Sequence, residues 1–505
     1  MPEHIITWGI FKEKHEFDTA IDSCKQALKA RPEYVKAYFN TGVALMEKGE
    51  FDTEITNQRK ALGIKPDYAW AHYNLGRALH ESEDFYGSVE SFKQALHFAP
   101  DTVEILSSLG IYLKENGSID AAIENYSKAL EVQLGHVDAN WNLSLALLQS
   151  EQFESGWSGW SGYEWRWKGV ENFEHPLKAS GPIWQPPRKH RVLLWGEQGF
   201  NDMVNFASLI SELQAVSSKL IVQIDACLIA LFQRSFPDCI EFHSPDVMIS
   251  KDQYDVHIPM GSLPQNFRKT TQSYTAAAAG WLSADMDIAF YLRSKYLGQD
   301  AQTLIGISWH STAIAFGALK RILPLEQLAH ALHAPHVRLI SLQYGPVDDE
   351  IGRLNRDCGI EVVCATEIDN QNDIDGLAAL IMAYDKVVSI DNSTVHLAGA
   401  LGKETHVLLP YSCDWRWEQT RSDSYWYAAL RLCRQRKLGQ WSDVLEGLKE
   451  TALLGCEQSK PLPLLISSQP SKQLTELVSD LYNQGQFEEV ISSVDTLLVT
   501  YPDAF

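Results

Sequence analysis

The sequence predicts a helical repeat array followed by two parallel-sheet α/β domains and a closing helical hairpin, an α + α/β chain. Three observations carry this: landmarks recurring every 34 residues through the first third, a strand–turn–helix–strand stretch at Lys386–Pro410, and an earlier glycine-bearing loop joining strand to helix after RVLLW. At 505 residues the chain is long enough for about three domains. Its 45% hydrophobic and 21% charged residues are those of a packed globular protein. The net charge of −22 argues against nucleic acid and anionic lipid as partners. The 8 cysteines show no CxxC pair or metal-ligand spacing, which fits free thiols in a reducing, cytoplasmic setting. The start, MPEHIITWGIFKEKHEF, is too charged for a signal peptide, and no apolar run reaches membrane length.

The repeat comes first. Phe17, Phe51, Phe85, Ile119 and Phe153 keep one step, as do Ala27, Ala61, Ala95 and Ala129, then Gly42, Gly76 and Gly110, then Pro32, Pro66 and Pro100. A 34-residue period with small residues at fixed places and proline at the end is the tetratricopeptide (TPR) pattern. Small residues let paired helices approach, proline stops the second helix, and each hairpin exposes an apolar face that its neighbour covers. About five units are expected, decaying after Phe153. A concave face that holds a protein or peptide and a stack that only forms a homo-oligomer or supports the next domain are both compatible with the repeats. Trp157, Trp160, Trp165 and Trp167 read as packing at the domain junction. Pro182, Pro186 and Pro187 mark a linker.

The α/β part follows. RVLLW (Arg191–Trp195) is a buried-strand run leading through GEQGFND to a helix at Met203–Leu213, with Asp202 at its expected N-cap. Further strands are expected at Lys219–Ile224 and Val256–Pro259. From Thr303 the pattern restarts as TLIGISW, a helix near Leu325–Leu332, VRLISLQ, a helix near Asp348–Asn355, IEVVC and a helix near Asp375–Tyr384. The stretch KVVSIDNSTVHLAGALGKETHVLLP then reads as strand, capped helix and strand. Its turn lies at the carboxyl end of a parallel strand, where such sheets bind ligands, and a helix start suits a diphosphate. An ordinary capped crossover reads the same way. The tail from Gln473 resembles one more hairpin, with Phe487, Ile491 and Pro502 spaced as Phe51, Ile55 and Pro66. The expected domains are 1–168 (repeats), 169–188 (linker), 189–300 and 301–455 (α/β), 456–471 (linker) and 472–505 (hairpin).

SIDNSTVHLAGALGK, HVLLPYSCDWRW, SDSYWY and LRLCRQ together resemble bacterial TPR proteins with a carboxyl-terminal glycosyltransferase domain of the heptosyltransferase-like family 9. The architecture is also similar to that of protein O-linked N-acetylglucosamine transferases. The resemblance implies a GT-B pair of Rossmann-like domains, the acceptor bound by 189–300 and the nucleotide-sugar donor by 301–455, with no metal or other cofactor. It places the family's Asp–Thr–x–x–x–His signature on Asp391, Asn392 and His396, with Asn in place of Thr. Asp391 would hold sugar hydroxyls, and Ser393, Thr394 and Val395 would offer N–H groups to the diphosphate. It places the Gly–Leu–Gly–Asp loop on Gly199, Phe200, Asn201 and Asp202, with Asp202 as general base, and the donor-side cation on Lys320 or Arg321. Asn201 stands where the family has glycine, a position where backbone with φ > 0 is an expectation.

The chemistry implied is inverting transfer of a sugar, hexosyl or heptosyl, to an acceptor hydroxyl, on a protein held by the repeats. A helix start stabilises a departing diphosphate by about 0.3–1 kcal/mol, and a positioned carboxylate accelerates deprotonation roughly 10²–10⁴-fold. Plain structural roles stand beside each assignment: a cap for Asp202, a turn residue for Asp391, a satisfied helix histidine for His396, a solvated pair for Lys320 and Arg321. His310, beside Trp309 on the loop after TLIGISW, is a second candidate proton acceptor. The Asp285–Asp287 and Asp373–Asp375 pairs imitate a metal motif and read as structural. The competing function is a catalytically silent TPR/GT-B scaffold for protein–protein interaction.

Overall fold

The computed structural model describes residues 14–153, 159–168, 181–186, 188–277, 280–297, 303–311, 322–453 and parts of 470–501. The chain divides into two compact units, Met1–Ser150 with Gly162–Gly169, and Glu151–Ser161 with Val170–Phe505.

In the first unit eight described helices run from Lys14–Ala30 to Val137–Gln149. The landmark residues sit where the repeat needs them. Phe51, Phe85 and Ile119 open the second helices of three successive hairpins. Ala61, Ala95 and Ala129 are fully buried. A Cβ added at Gly110 would lie 2.4 Å from the Tyr126 ring, and one at Gly76 would lie 2.9 Å from the Phe92 ring. Glycine therefore lets an aromatic from the second helix lie directly on the first. Each hairpin then hands its apolar face onward: Phe92 and Ala95 pack with Ile105, Leu109 and Tyr112 of the next helix. This face-to-face relay is why a solenoid forms instead of a closed bundle. After Val137–Gln149 no full partner helix follows among the described residues. The chain forms only a five-residue helix at Gly159–Tyr163 and a 3₁₀ turn at Glu164–Lys168, as the decay of the repeat predicts. Trp157 lies outside the described residues.

The second unit holds two wholly parallel sheets. The first contains β1 (Arg191–Trp195), β2 (Lys219–Gln223), β3 (Ile240–His243) and β4 (Val256–Pro259), in the order β3-β2-β1-β4. The second contains β5 (Thr303–Ser308), β6 (Val337–Ser341), β7 (Val362–Cys364), β8 (Lys386–Ile390), β9 (Thr405–Leu409) and β10 (Leu430–Arg434), in the order β10-β9-β8-β5-β6-β7. β5 and β9 are buried along their whole length, because helices cover both faces of a parallel sheet. Hence the unbroken apolar runs in the sequence.

One element differs from expectation. The single helix read over Met203–Leu213 is two, Phe200–Ala207 and Ile210–Val216, separated at Ser208 and Leu209. The first begins at Phe200, two residues before Asp202, and its N-cap is Gly199. Asp202 therefore lies inside the first turn and is not the cap.

The tail helix Lys472–Asn483 docks within the second unit. It buries Leu474 and Leu481. Gln473 accepts from Arg234 Nη2 at 2.7 Å and donates to Asp375 Oδ2 at 2.7 Å. Arg234 itself holds Asp375 at 2.6 Å, so one polar knot joins helix Ala226–Ser235, helix Ile374–Ala383 and the tail. The linker 456–471 lies almost wholly outside the described residues, as does most of 169–188.

Candidate functional site

The turn after β8 is built around Asn392. This residue caps helix Ser393–Ala400, its Oδ1 accepting the Thr394 N–H at 3.0 Å. The same oxygen accepts from Ser389 Oγ at 3.1 Å. Its Nδ2 donates to Ser308 Oγ at 2.7 Å and to the His310 carbonyl at 3.3 Å. A threonine hydroxyl could cap the helix, but its one proton could not serve both Ser308 and His310. The amide thus ties the end of β8 to the end of its sheet neighbour β5. Gln343, just beyond β6, continues the line. Its Oε1 accepts from Ser308 Oγ at 2.9 Å, from Trp309 N at 2.9 Å and from His310 N at 3.0 Å. Three adjacent strand ends, β8, β5 and β6, are therefore locked by one buried polar network. Such a network fixes geometry only when its members are satisfied, as Asn392 and Gln343 are here.

That network leads to a cavity of about 370 Å³ at the carboxyl ends of β6 and β7. Gln343, Gly345, Val347, Asp348, Ala365 and Asn370 are among its lining residues. Asp348 opens helix Asp348–Cys358. The volume lies in the range of small-molecule sites, and the place is the one where parallel sheets take ligands.

The second cluster centres on Asp202. Helix Phe200–Ala207, following β1, packs directly against helix Ser393–Ala400, following β8. Gly280 makes a further close approach: with φ +75, it would bring a Cβ to 2.8 Å from the Gly402 nitrogen. The Trp281 N–H donates to the Ala400 carbonyl at 2.8 Å. Arg416 Nη2 donates to Asp202 Oδ1, and Arg416 Nη1 to Asp414 Oδ1 at 2.7 Å. Both ends of the Asp202 pair are largely buried, 19% and 10% exposed at the side chain. Trp415 stacks on the guanidinium at 4.3 Å. His396 is buried, and Tyr427 Oη lies 2.8 Å from its Nδ1. Burial, reinforced by the Arg416 charge, pushes the imidazole down to about 3, so His396 is neutral across the physiological range. Asp391 is also buried, 6% exposed.

Against the sequence expectations, the structure joins Asn392 to the backbone of His310 and places Asp391, Ser393, Thr394, Val395 and His396 on one turn and helix. Asp202 and His396 share Arg416 as a charged neighbour. Gly199 has φ −67 and open space at its Cβ position, so the conformation does not demand glycine. Asn201 lies within helix Phe200–Ala207 and is not among the described residues with positive φ, so the expected left-handed backbone does not occur there. Lys320 and Arg321 lie outside the described residues. Asp373 caps its helix through Gly376 N at 2.8 Å, and Asp285 accepts from Asp287 N at 2.9 Å and Ile288 N at 3.1 Å; both acidic pairs have structural partners. Sequence reasoning missed Arg416, Gln343 and Tyr427. An arginine between two tryptophans, one step after Trp415 and two after Asp414, was the available signal for the first.

Residues 44–83 match the family described as TPR repeat, and residues 108–155 match that described as Tetratricopeptide repeat. Protein FlbA of Caulobacter vibrioides is 26% identical over 313 residues, covering 57% of this chain and 52% of that protein. The chain thus spans about half the length of the curated relative it matches. The crystal structure of MamA is 27% identical, covers 26% of this chain and 78% of its own, and has a TM-score of 0.25. That of YrrB, a TPR protein with an unusual peptide-binding site, is 18% identical, covers 29% of this chain and 73% of its own, and has a TM-score of 0.26. The amino-terminal part thus carries tetratricopeptide repeats, and an α/β part with parallel sheets follows it. No helix among the described residues is long and apolar enough to cross a membrane.

Proposed function

We propose that the α/β part is a GT-B glycosyltransferase that moves a sugar from a nucleotide-sugar to an acceptor hydroxyl without a metal, inverting the anomeric centre, and that the TPR array presents a protein or peptide. The observation that carries the proposal is the continuous polar network Asn392–Ser308–His310–Gln343. It aligns the start of helix Ser393–Ala400 with the cavity beyond β6. On this reading the nucleoside occupies the cavity, the diphosphate lies toward Ser393 and the His310 loop, and the sugar lies toward Asp391. Asp202, from the other sheet, takes the acceptor proton. Arg416 holds Asp202 as a carboxylate until the acceptor hydroxyl displaces the guanidinium.

The same ion pair favours a second reading. A carboxylate clamped by a stacked arginine is a weak base, which is what a silent scaffold would retain. One experiment separates the two. Purified protein is incubated with UDP-, GDP-, ADP- and dTDP-sugars, and free nucleotide is measured. The enzyme reading expects release with one donor, and a fall of about 10²–10⁴-fold in Asp202→Asn with donor binding kept. No release, together with no donor raising the melting temperature, would establish the scaffold.

A further inference from the structure

We propose that Glu326, His330 and Cys358 form a zinc-binding site joining helix Leu325–Leu332 to the carboxyl end of helix Asp348–Cys358. One carboxylate oxygen, one imidazole nitrogen and the thiol sulfur all lie within 4.8 Å of one another. Glu326 and His330 stand one helical turn apart, with Nε2 and Oε1 4.0 Å apart. A tetrahedral zinc ion with bonds of about 2.0–2.3 Å needs its ligand atoms roughly 3.3–3.8 Å apart. The two side chains are 67% and 56% exposed, so rotation about their own bonds closes that gap without moving the backbone. Cys358 is the fixed point. It packs partly buried on the core of the second sheet, and Gly359, with φ 67, ends the helix directly behind it.

The donor set selects the ion. A thiolate with an imidazole and one carboxylate suits zinc and disfavours calcium and magnesium, which want oxygen alone; water completes the fourth position. Binding releases the Cys358 thiol proton to solvent, and the sulfur becomes a thiolate ligand. The site stands apart from the cavity: Asp348 and Cys358 are the two ends of an eleven-residue helix, about 15 Å apart along the axis. It is a brace between two helices and lies outside the proposed reaction.

The test uses the reduced full-length chain and cobalt(II) as probe. One cobalt per chain is expected, with a thiolate-to-metal charge-transfer band in the near ultraviolet. Cys358→Ser should abolish the band, His330→Ala should weaken binding about 10-fold or more, and zinc should displace the cobalt. Zinc should also raise the melting temperature of the wild type but of neither variant. Absence of the band in folded wild-type protein would overturn the site. So would its persistence in Cys358→Ser, which would assign it to another of the chain's cysteines.

Discussion

Glu54 is fully buried in the repeat array, on helix Phe51–Ile64, and burial raises its carboxyl from 4.5 to about 8, against an opposing pull from Arg77. An acid whose pKa rises on folding binds its proton more tightly in the native chain than in the unfolded one. Folding stability is then complete below pH 4.5 and declines as pH climbs toward 8. Each pH unit in that window costs about 1.4 kcal/mol, so at pH 7 the burden is about 3 kcal/mol. Glu54→Gln keeps the shape and removes the titration. Urea unfolding of the full chain, with the array's transition followed by far-ultraviolet circular dichroism, should show wild type and variant alike at pH 4. By pH 7 the variant should be more stable by about 3 kcal/mol. An equal pH slope in both proteins would refute the reasoning, because it would mean that Glu54 keeps an ordinary carboxyl in the fold.

Other perturbations test the packing and the strand-end network. Asn392→Ala removes the helix cap and leaves Ser308 and the His310 carbonyl without their amide partner. A loss of about 2–3 kcal/mol by denaturation is expected, together with loss of any melting shift produced by a nucleotide-sugar. Gly110→Ala forces a methyl group into the Tyr126 ring and should cost about 1–3 kcal/mol, read as a lower array transition; Gly110→Ala combined with Tyr126→Leu should recover part of it.

Much of the fold is legible in the sequence because local and global signals coincide. β1 and β4 fall on RVLLW and Val256–Pro259, and helix Leu325–Leu332 has its expected bounds, since apolar runs there are closed by turn residues or proline. The helix start at Phe200 was not legible. Gly199 caps without a side-chain bond, and the nearby Asp202 imitates a cap. The break at Ser208–Leu209 was hidden for a related reason: neither glycine nor proline marks it. The candidate site was legible only where its residues lie on one turn. Arg416 meets Asp202 across 214 positions of chain, a pairing that no local spacing announces. Gln343 looked like the polar end of a strand; that its one oxygen would collect three donors depends on β5 and β6 being neighbours.

The packing of helix Phe200–Ala207 on helix Ser393–Ala400, with Trp281 pinned to Ala400, joins the helices that follow β1 and β8 directly. The Arg234–Asp375 pair between helix Ala226–Ser235 and helix Ile374–Ala383 ties the same two sheets at a second place, so the seam between them is held at more than one point.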